Sequence, residues 1–102
     1  MPKIKFIWDS ARAEKNILKY DVSFDEAATA CQDPLALYFE DSEHSQKEKR
    51  EFVIGRSAAR ERLLTCFIVR AEGVVRIVAA RIATHGERKN YDENAEIKHK
   101  HK

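Results

Sequence analysis

The sequence predicts an α+β domain of element order βααββββα. We expect a small antiparallel sheet with two helices packed on one face and a short helix at the C-terminal end. Three observations carry this expectation. Two capping boxes, Ser23/Glu26 and Thr84/Glu87, mark helix starts. Short apolar runs, several alternating every second residue and bounded by turn residues, read as strands. The 102 residues suffice for one core and no more. Residues 1–93 are expected to form that single domain, and 94–102 a polar tail. No internal repeat is visible.

The elements follow in order. Ile4, Phe6 and Trp8 alternate with Lys3, Lys5 and Ile7, as in a strand with one buried face. Asp9 is a good N-cap for a helix through Tyr20, whose apolar side is Ala13, Ile17 and Tyr20 with Leu18 nearby. Ser23 and Glu26 open a second helix through Cys31, which Asp33-Pro34 ends. Leu35, Leu37 and Phe39 alternate as the second strand, and the charged stretch 40–49 is expected to be a loop or a long hairpin end. Phe52–Gly55, Leu63–Val69 and Val74–Ile82 are three further strands, the last two joined by a turn at Ala71-Glu72-Gly73. Both of those are apolar on both faces and belong at the centre of the sheet. Thr84 and Glu87 start a helix of about nine residues, with Tyr91 its only large apolar anchor. Ordering each residue costs about 1–2 kcal/mol of backbone entropy, so this helix should dock weakly or rely on a ligand or partner.

Composition narrows the function. Charged residues are 35%, against about 25% in a typical domain, so the surface is unusually ionic. No apolar run approaches the roughly 18 residues of a membrane span, and no secretion signal is visible. Cys31 and Cys66 form no CxxC or Cys/His cluster, and read as buried thiols of a cytoplasmic protein. The net charge of +2 is arranged in blocks. Residues 21–45 hold seven acidic and no basic side chains, whereas 46–102 hold fourteen basic and eight acidic. Eight of those fourteen are arginines between Arg50 and Arg88, and arginine suits bidentate phosphate contacts. An anionic partner is therefore one reading and a solvated mixed-charge surface the other.

Strict alternation places Arg76 and Arg81 on opposite faces of the last strand. Each must find a carboxylate or reach an open groove, because a buried unpaired charge costs several kcal/mol. We expect a structural ion pair for mid-strand Arg76. Arg81 closes the strand, beside a helix bearing His85, Glu87, Arg88, Lys89 and Tyr91. Guanidinium groups, a phenol and an imidazole in so short a span fit an RNA phosphate with a base stacked nearby. No phosphate loop, GxSxG or two-metal carboxylate pair is present, so we expect no metal and no cofactor. RNA cleavage needs neither, since the ribose 2′-hydroxyl can attack the adjacent phosphate while the protein positions it and stabilises developing charge. Arginine cannot be the base. Proton transfer falls to His85, Glu87, Tyr91 or a lysine; Glu87 has a competing role as cap partner of Thr84. Lys15 and Lys19, one turn apart, together with Trp8 and Arg56, are candidates for substrate contacts, with Trp8 otherwise a core residue. His44 lies in the charged loop and is expected to be inert.

Phe6-x-Trp8-Asp9, Lys15-Asn16-x-x-Lys19, Val22-x-Phe24-x-x-Ala27, Asp33-Pro34, Ile54-Gly55 and Arg76-Ile77-x-x-Ala80-Arg81-x-Ala83-Thr84-x-x-Glu87-Arg88-x-x-Tyr91 occur in that order. Together they resemble the BrnT toxin family of bacterial type II toxin–antitoxin modules, across residues 4–92. The resemblance implies a RelE-like fold, a ribonuclease that arrests growth, and a hetero-oligomer with a BrnA-type ribbon-helix-helix antitoxin. The alternative is a non-catalytic module of the same fold that binds antitoxin or nucleic acid. By resemblance to RelE-type relatives, Arg81 and Arg88 would hold the scissile phosphate and Tyr91 would stack on a base or donate a hydrogen bond. Tyr20-Asp21 stands where the family usually has His-Gly, and Ala79 where it usually has Ser.

Overall fold

The computed structural model describes residues 4–41, 49–59 and 61–100; His44 lies outside them. The order is β1 (Lys5–Ile7), α1 (Ser10–Tyr20), α2 (Phe24–Cys31), β2 (Leu37–Glu40), β3 (Arg50–Arg56), β4 (Arg62–Ala71), β5 (Val74–Ile82) and α3 (His85–Lys100). One sheet holds all five strands in the order β1-β5-β4-β3-β2. Strands β2 to β5 form the expected antiparallel meander. The sheet is nevertheless mixed, because β1 pairs with β5 in parallel. The connection explains this. The α1–α2 connection carries the chain across the sheet to its far edge, where β2 enters opposite to β1. Three hairpins later β5 runs with β1.

Local chemistry sets the helix starts. The Asp9 carboxylate accepts from the Arg12 N–H at 3.0 Å, and the Ser23 hydroxyl accepts from the Glu26 N–H at 3.1 Å. Asp21 closes α1 in the left-handed region (φ 58°), its N–H donating to the Ile17 carbonyl. The buried side of α1 differs from the expected apolar stripe. Ile17 is 45% exposed and Leu18 87%, whereas Asn16 is only 6% exposed. The reason is the edge of β5. Strand β1 pairs with only its first residues, Val74 to Arg76, so the backbone beyond them needs other partners. The Asn16 side-chain amide supplies them. It accepts from the Ala80 N–H at 3.1 Å and donates to the Ala80 carbonyl at 2.8 Å and the Val22 carbonyl at 2.9 Å.

The core lies between α1, α2 and the sheet, built on Val22, Phe24, Ala27, Ala30, Leu63 and Ile77 with Trp8 against it. A second cluster, Ile54, Leu64, Ala83 and Tyr91, sits on the opposite face beneath α3. Strands β4 and β5 are thus covered on both faces over part of their length, as their apolar sequences require. Helix α2 packs so closely on β3 that a Cβ at Gly55 would sit 2.1 Å from the Ala30 carbonyl oxygen. Gly55→Ala should therefore force the two elements apart and cost about 1–3 kcal/mol, measurable by urea unfolding. A change below a few tenths would mean α2 shifts freely.

Helix α3 is longer than expected. It continues past Asp92 to Lys100, so residues 94–100 extend it rather than forming an irregular tail. It also has more anchors than Tyr91 alone. Ala95, one turn on, packs in the same cluster, and Arg62 of β4 bonds both Asp92 carboxylate oxygens at 2.6 and 2.7 Å. Among the described residues no helix is long and apolar enough to cross a membrane.

Candidate functional site

The face of the sheet away from α1 and α2 carries the candidate site, and strand register shows what lies on it. Phe39, Phe52, Cys66 and Ala79 are direct neighbours across four strands. To one side runs the row Leu37, Ile54, Leu64 and Arg81; to the other, Arg50, Ile68 and Arg76. Arg76 and Arg81 therefore share this face, contrary to strict alternation. The pairing shifts between Cys66 and Phe67, so that Cys66 opposes Ala79 while Phe67 opposes Ile77. Val78 is the extra residue of a β-bulge, and the bulge re-aims one half of β5 relative to the other. The ion pair expected for Arg76 is not found among the described residues; its side chain is half-buried on the open face.

Helix α3 covers one end of this face, over Ile54 and Leu64. What remains open is a cleft of about 270 Å³ walled by Tyr20 and Arg81 and floored by Phe52, Leu64, Cys66 and Ala79. The Phe39 and Phe52 rings are tilted against each other with centroids 5.4 Å apart. The Lys19 Nζ stands 5.2 Å over the Tyr20 ring. Burial pushes the Cys66 thiol up, so it stays protonated and unreactive. Cys31, buried on the other face, is pushed up to about 12 by burial.

Arg81 is held by Glu87. Its Nη1 and Nη2 donate to the two Glu87 carboxylate oxygens at 2.8 and 3.0 Å, and Nη1 also donates to the Ile82 carbonyl at 3.2 Å. Glu87 is at once the cap partner of Thr84, accepting from the Thr84 N–H at 2.8 Å, while the Thr84 hydroxyl accepts from the Glu87 N–H at 3.2 Å. The Arg81 hydrogen bonds hold the Glu87 carboxyl below its usual range against burial, so Glu87 is a weak proton acceptor. By the same pairing the Arg81 guanidinium is held more firmly charged. A guanidinium has five N–H groups. Three are used here, which leaves Nε–H and one Nη2–H, a pair spaced to grip two oxygens of one phosphate.

The other expected site residues lie elsewhere. Tyr91 is 3% exposed, in the cluster under α3. Its phenol donates to Asp33 Oδ2, with the Arg56 guanidinium beside it. Burial and the Asp33 carboxylate push this phenol up to about 12. Asp33 also accepts from the backbone N–H groups of Arg56 at 2.8 Å and Leu35 at 2.9 Å. Burial pushes its carboxyl up, but these donors, led by the Tyr91 phenol, outweigh it and hold it below its ordinary value. His85, Arg88 and Lys89 line a separate surface groove of about 420 Å³ along α3, on the same helix face as Asp92 and Glu93 and together with Arg62 of β4. Lys15 is exposed on α1. Trp8 meets Phe24 edge-on at 6.0 Å in the core on the helix-covered face. Phe52 and Asn16 are not among the site residues expected from sequence, and Tyr20 enters there only as the residue at the position where the family usually has His. Their signal is three-dimensional: strand register, and one side chain closing a strand edge.

Asp33 and Glu87 both tie α3 to the sheet through ionised carboxylates, which gives a pH prediction. Each folded-state value lies below the ordinary 3.8 or 4.5. The unfolded state then binds more protons in acid, so this stabilisation is full above the ordinary values and is lost as pH falls through the lowered ones. Amide exchange should show α3 losing protection before the central strands on acidification. Protection of α3 that outlasts that of β4 and β5 would contradict this.

Comparison with known proteins agrees with the architecture. A family described as "Ribonuclease toxin, BrnT, of type II toxin-antitoxin system" matches residues 8–87, a span that includes Arg76, Arg81 and Glu87 and stops short of Arg88 and Tyr91. No curated protein matches the chain. Among solved structures, the 1.1 Å crystal structure of the Brucella abortus ribonuclease toxin BrnT superposes with a TM-score of 0.62 at 19% identity, covering 81% of this chain and 100% of that one. At that identity the likeness speaks for the fold, whereas the family match spans most of the sequence. The chain belongs to the BrnT family of ribonuclease toxins of type II toxin–antitoxin systems.

Proposed function

We propose that this toxin cleaves RNA on the open sheet face without a metal, by attack of a ribose 2′-hydroxyl on the neighbouring phosphate. The observation that carries the reading is the bulged β5. It brings Arg81, with two N–H groups to spare, and Arg76 onto one face with a floor of Phe52, Leu64 and Cys66. Arg81 holds the scissile phosphate and the charge that develops on it. Glu87 is a positioning residue that fixes the guanidinium. Phe39 and Phe52 offer rings on which a base can stack. Arg76 and Lys19 extend the phosphate track, whereas Arg88, Lys89 and His85 belong to the separate groove along α3 and stay outside it. Tyr91 acts from within the core: its bond to Asp33 fixes α3, and α3 carries Glu87. A BrnA-type ribbon-helix-helix antitoxin neutralises the toxin in the cytoplasm by covering this face and burying Arg81.

The test is purified protein on RNA in the presence of a chelator, with the new ends analysed. Attack by the 2′-hydroxyl leaves a 2′,3′-cyclic phosphate and a 5′-hydroxyl. Cleavage that appears only with a divalent ion, or that leaves 5′-phosphate ends, would overturn the mechanism.

A further inference from the structure

The cleavage reaction needs a proton donor for the leaving 5′-oxygen, and the residues that sequence offered for proton transfer are engaged or placed elsewhere. Glu87 is a carboxylate paired with Arg81. Tyr91 gives its proton to Asp33 inside the core. His85 lines the groove along α3 rather than the cleft that holds Arg81. Among the described residues that line the cleft, Tyr20 and Cys66 carry transferable protons. Cys66 is only 8% exposed, whereas Tyr20 is 37% exposed.

The fold fixes where Tyr20 stands. Asn16 is clamped to both backbone groups of Ala80, the residue before Arg81. Tyr20 lies one helical turn after Asn16 and so faces the same strand. The clamp thereby holds the phenol in the same cleft as the phosphate-binding guanidinium. Two cations are at hand to stabilise a phenolate: Arg81 across the cleft, and the Lys19 ammonium 5.2 Å above the ring.

We propose that Tyr20 is the general acid of RNA cleavage, donating its phenolic proton to the departing 5′-oxygen. The inference rests on the ribonuclease reading above. As the ribose O2′–P bond forms, the 2′-proton passes to a base from bulk water and the P–O5′ bond breaks. The electron pair of that bond stays on O5′, which takes the proton from Tyr20 Oη. The phenolate then regains a proton from water. An alkoxide leaving group is a far stronger base than a phenolate, so the transfer is downhill.

The test compares the wild type and Tyr20→Phe on two substrates in chelator. One is ordinary RNA; the other carries sulfur in place of the bridging 5′-oxygen at the mapped cleavage position. A thiolate leaves without a proton. The expected result is a loss of about 10²–10⁴-fold for Tyr20→Phe on the oxygen substrate, and near wild-type cleavage of the sulfur substrate. Equal losses on both substrates, or no loss on the first, would overturn the assignment of Tyr20 alone. Failure of the wild type to cleave either substrate would overturn the ribonuclease reading and this inference with it.

Discussion

Arg81→Ala should lower RNA cleavage by about 10²–10³-fold, the usual effect of deleting one preorganised donor to developing charge. The size follows from preorganisation. Glu87 takes one end of the guanidinium and thereby fixes the direction of the two remaining N–H groups. Arg81→Lys keeps the charge without the planar fork and should recover only part of the loss. The same substitutions should lower the melting temperature by a few degrees at most, because partly exposed ion pairs of this kind contribute about 0–1 kcal/mol. Rates and thermal melts measured on one preparation separate the two effects. Cleavage by Arg81→Ala within about threefold of the wild type would remove Arg81 from the chemistry.

The second large effect is expected on stability, at a residue that touches no substrate. Asn16→Ala should cost about 2–5 kcal/mol by chemical denaturation, because it strips partners from the Ala80 N–H, the Ala80 carbonyl and the Val22 carbonyl at once. A domain this size has only about 5–15 kcal/mol in total, so the variant should melt well below the wild type. Asn16→Asp should be at least as harmful, since it sets a carboxylate against two carbonyl oxygens it cannot donate to. A loss under about 0.5 kcal/mol for Asn16→Ala would mean that water replaces the amide along the β5 edge.

These two residues also mark what could be seen in the sequence and what could not. Local chemistry was legible: Asp9, Ser23 and the Thr84/Glu87 box cap the helices as their spacing demands. So was the meander, because Val74–Ile82 and its neighbour are apolar on both faces and must be central. Arg81 is legible too, because a guanidinium at a strand end beside a cationic helix must find a carboxylate or an open groove. Long-range geometry was not legible. Nothing in Val74–Ile82 announces a bulge at Val78, so alternation set Arg76 and Arg81 on opposite faces. Asn16 sits in an otherwise amphipathic helix and reads as a surface residue until the short β1 leaves the β5 edge open. The sequence marks Tyr91 as a docking anchor and a candidate at the site, but not its partner. Its partner Asp33 lies 58 residues away in a loop whose sequence signals only the end of α2. The second half of α3 has few apolar residues and so gives no helical signal past Asp92; Arg62–Asp92 and Ala95 carry the helix further.

The most direct test of where RNA binds uses an RNA strand made uncleavable by a 2′-deoxy sugar at the cleaved nucleotide, titrated into the labelled protein and followed by amide NMR. The largest shifts should fall on Tyr20, Phe52, Leu64, Cys66, Ala79 and Arg81, and Arg81→Ala should weaken them. Shifts confined to the groove along α3 that Arg62, His85 and Lys89 line, or to the face covered by α1 and α2, would contradict it.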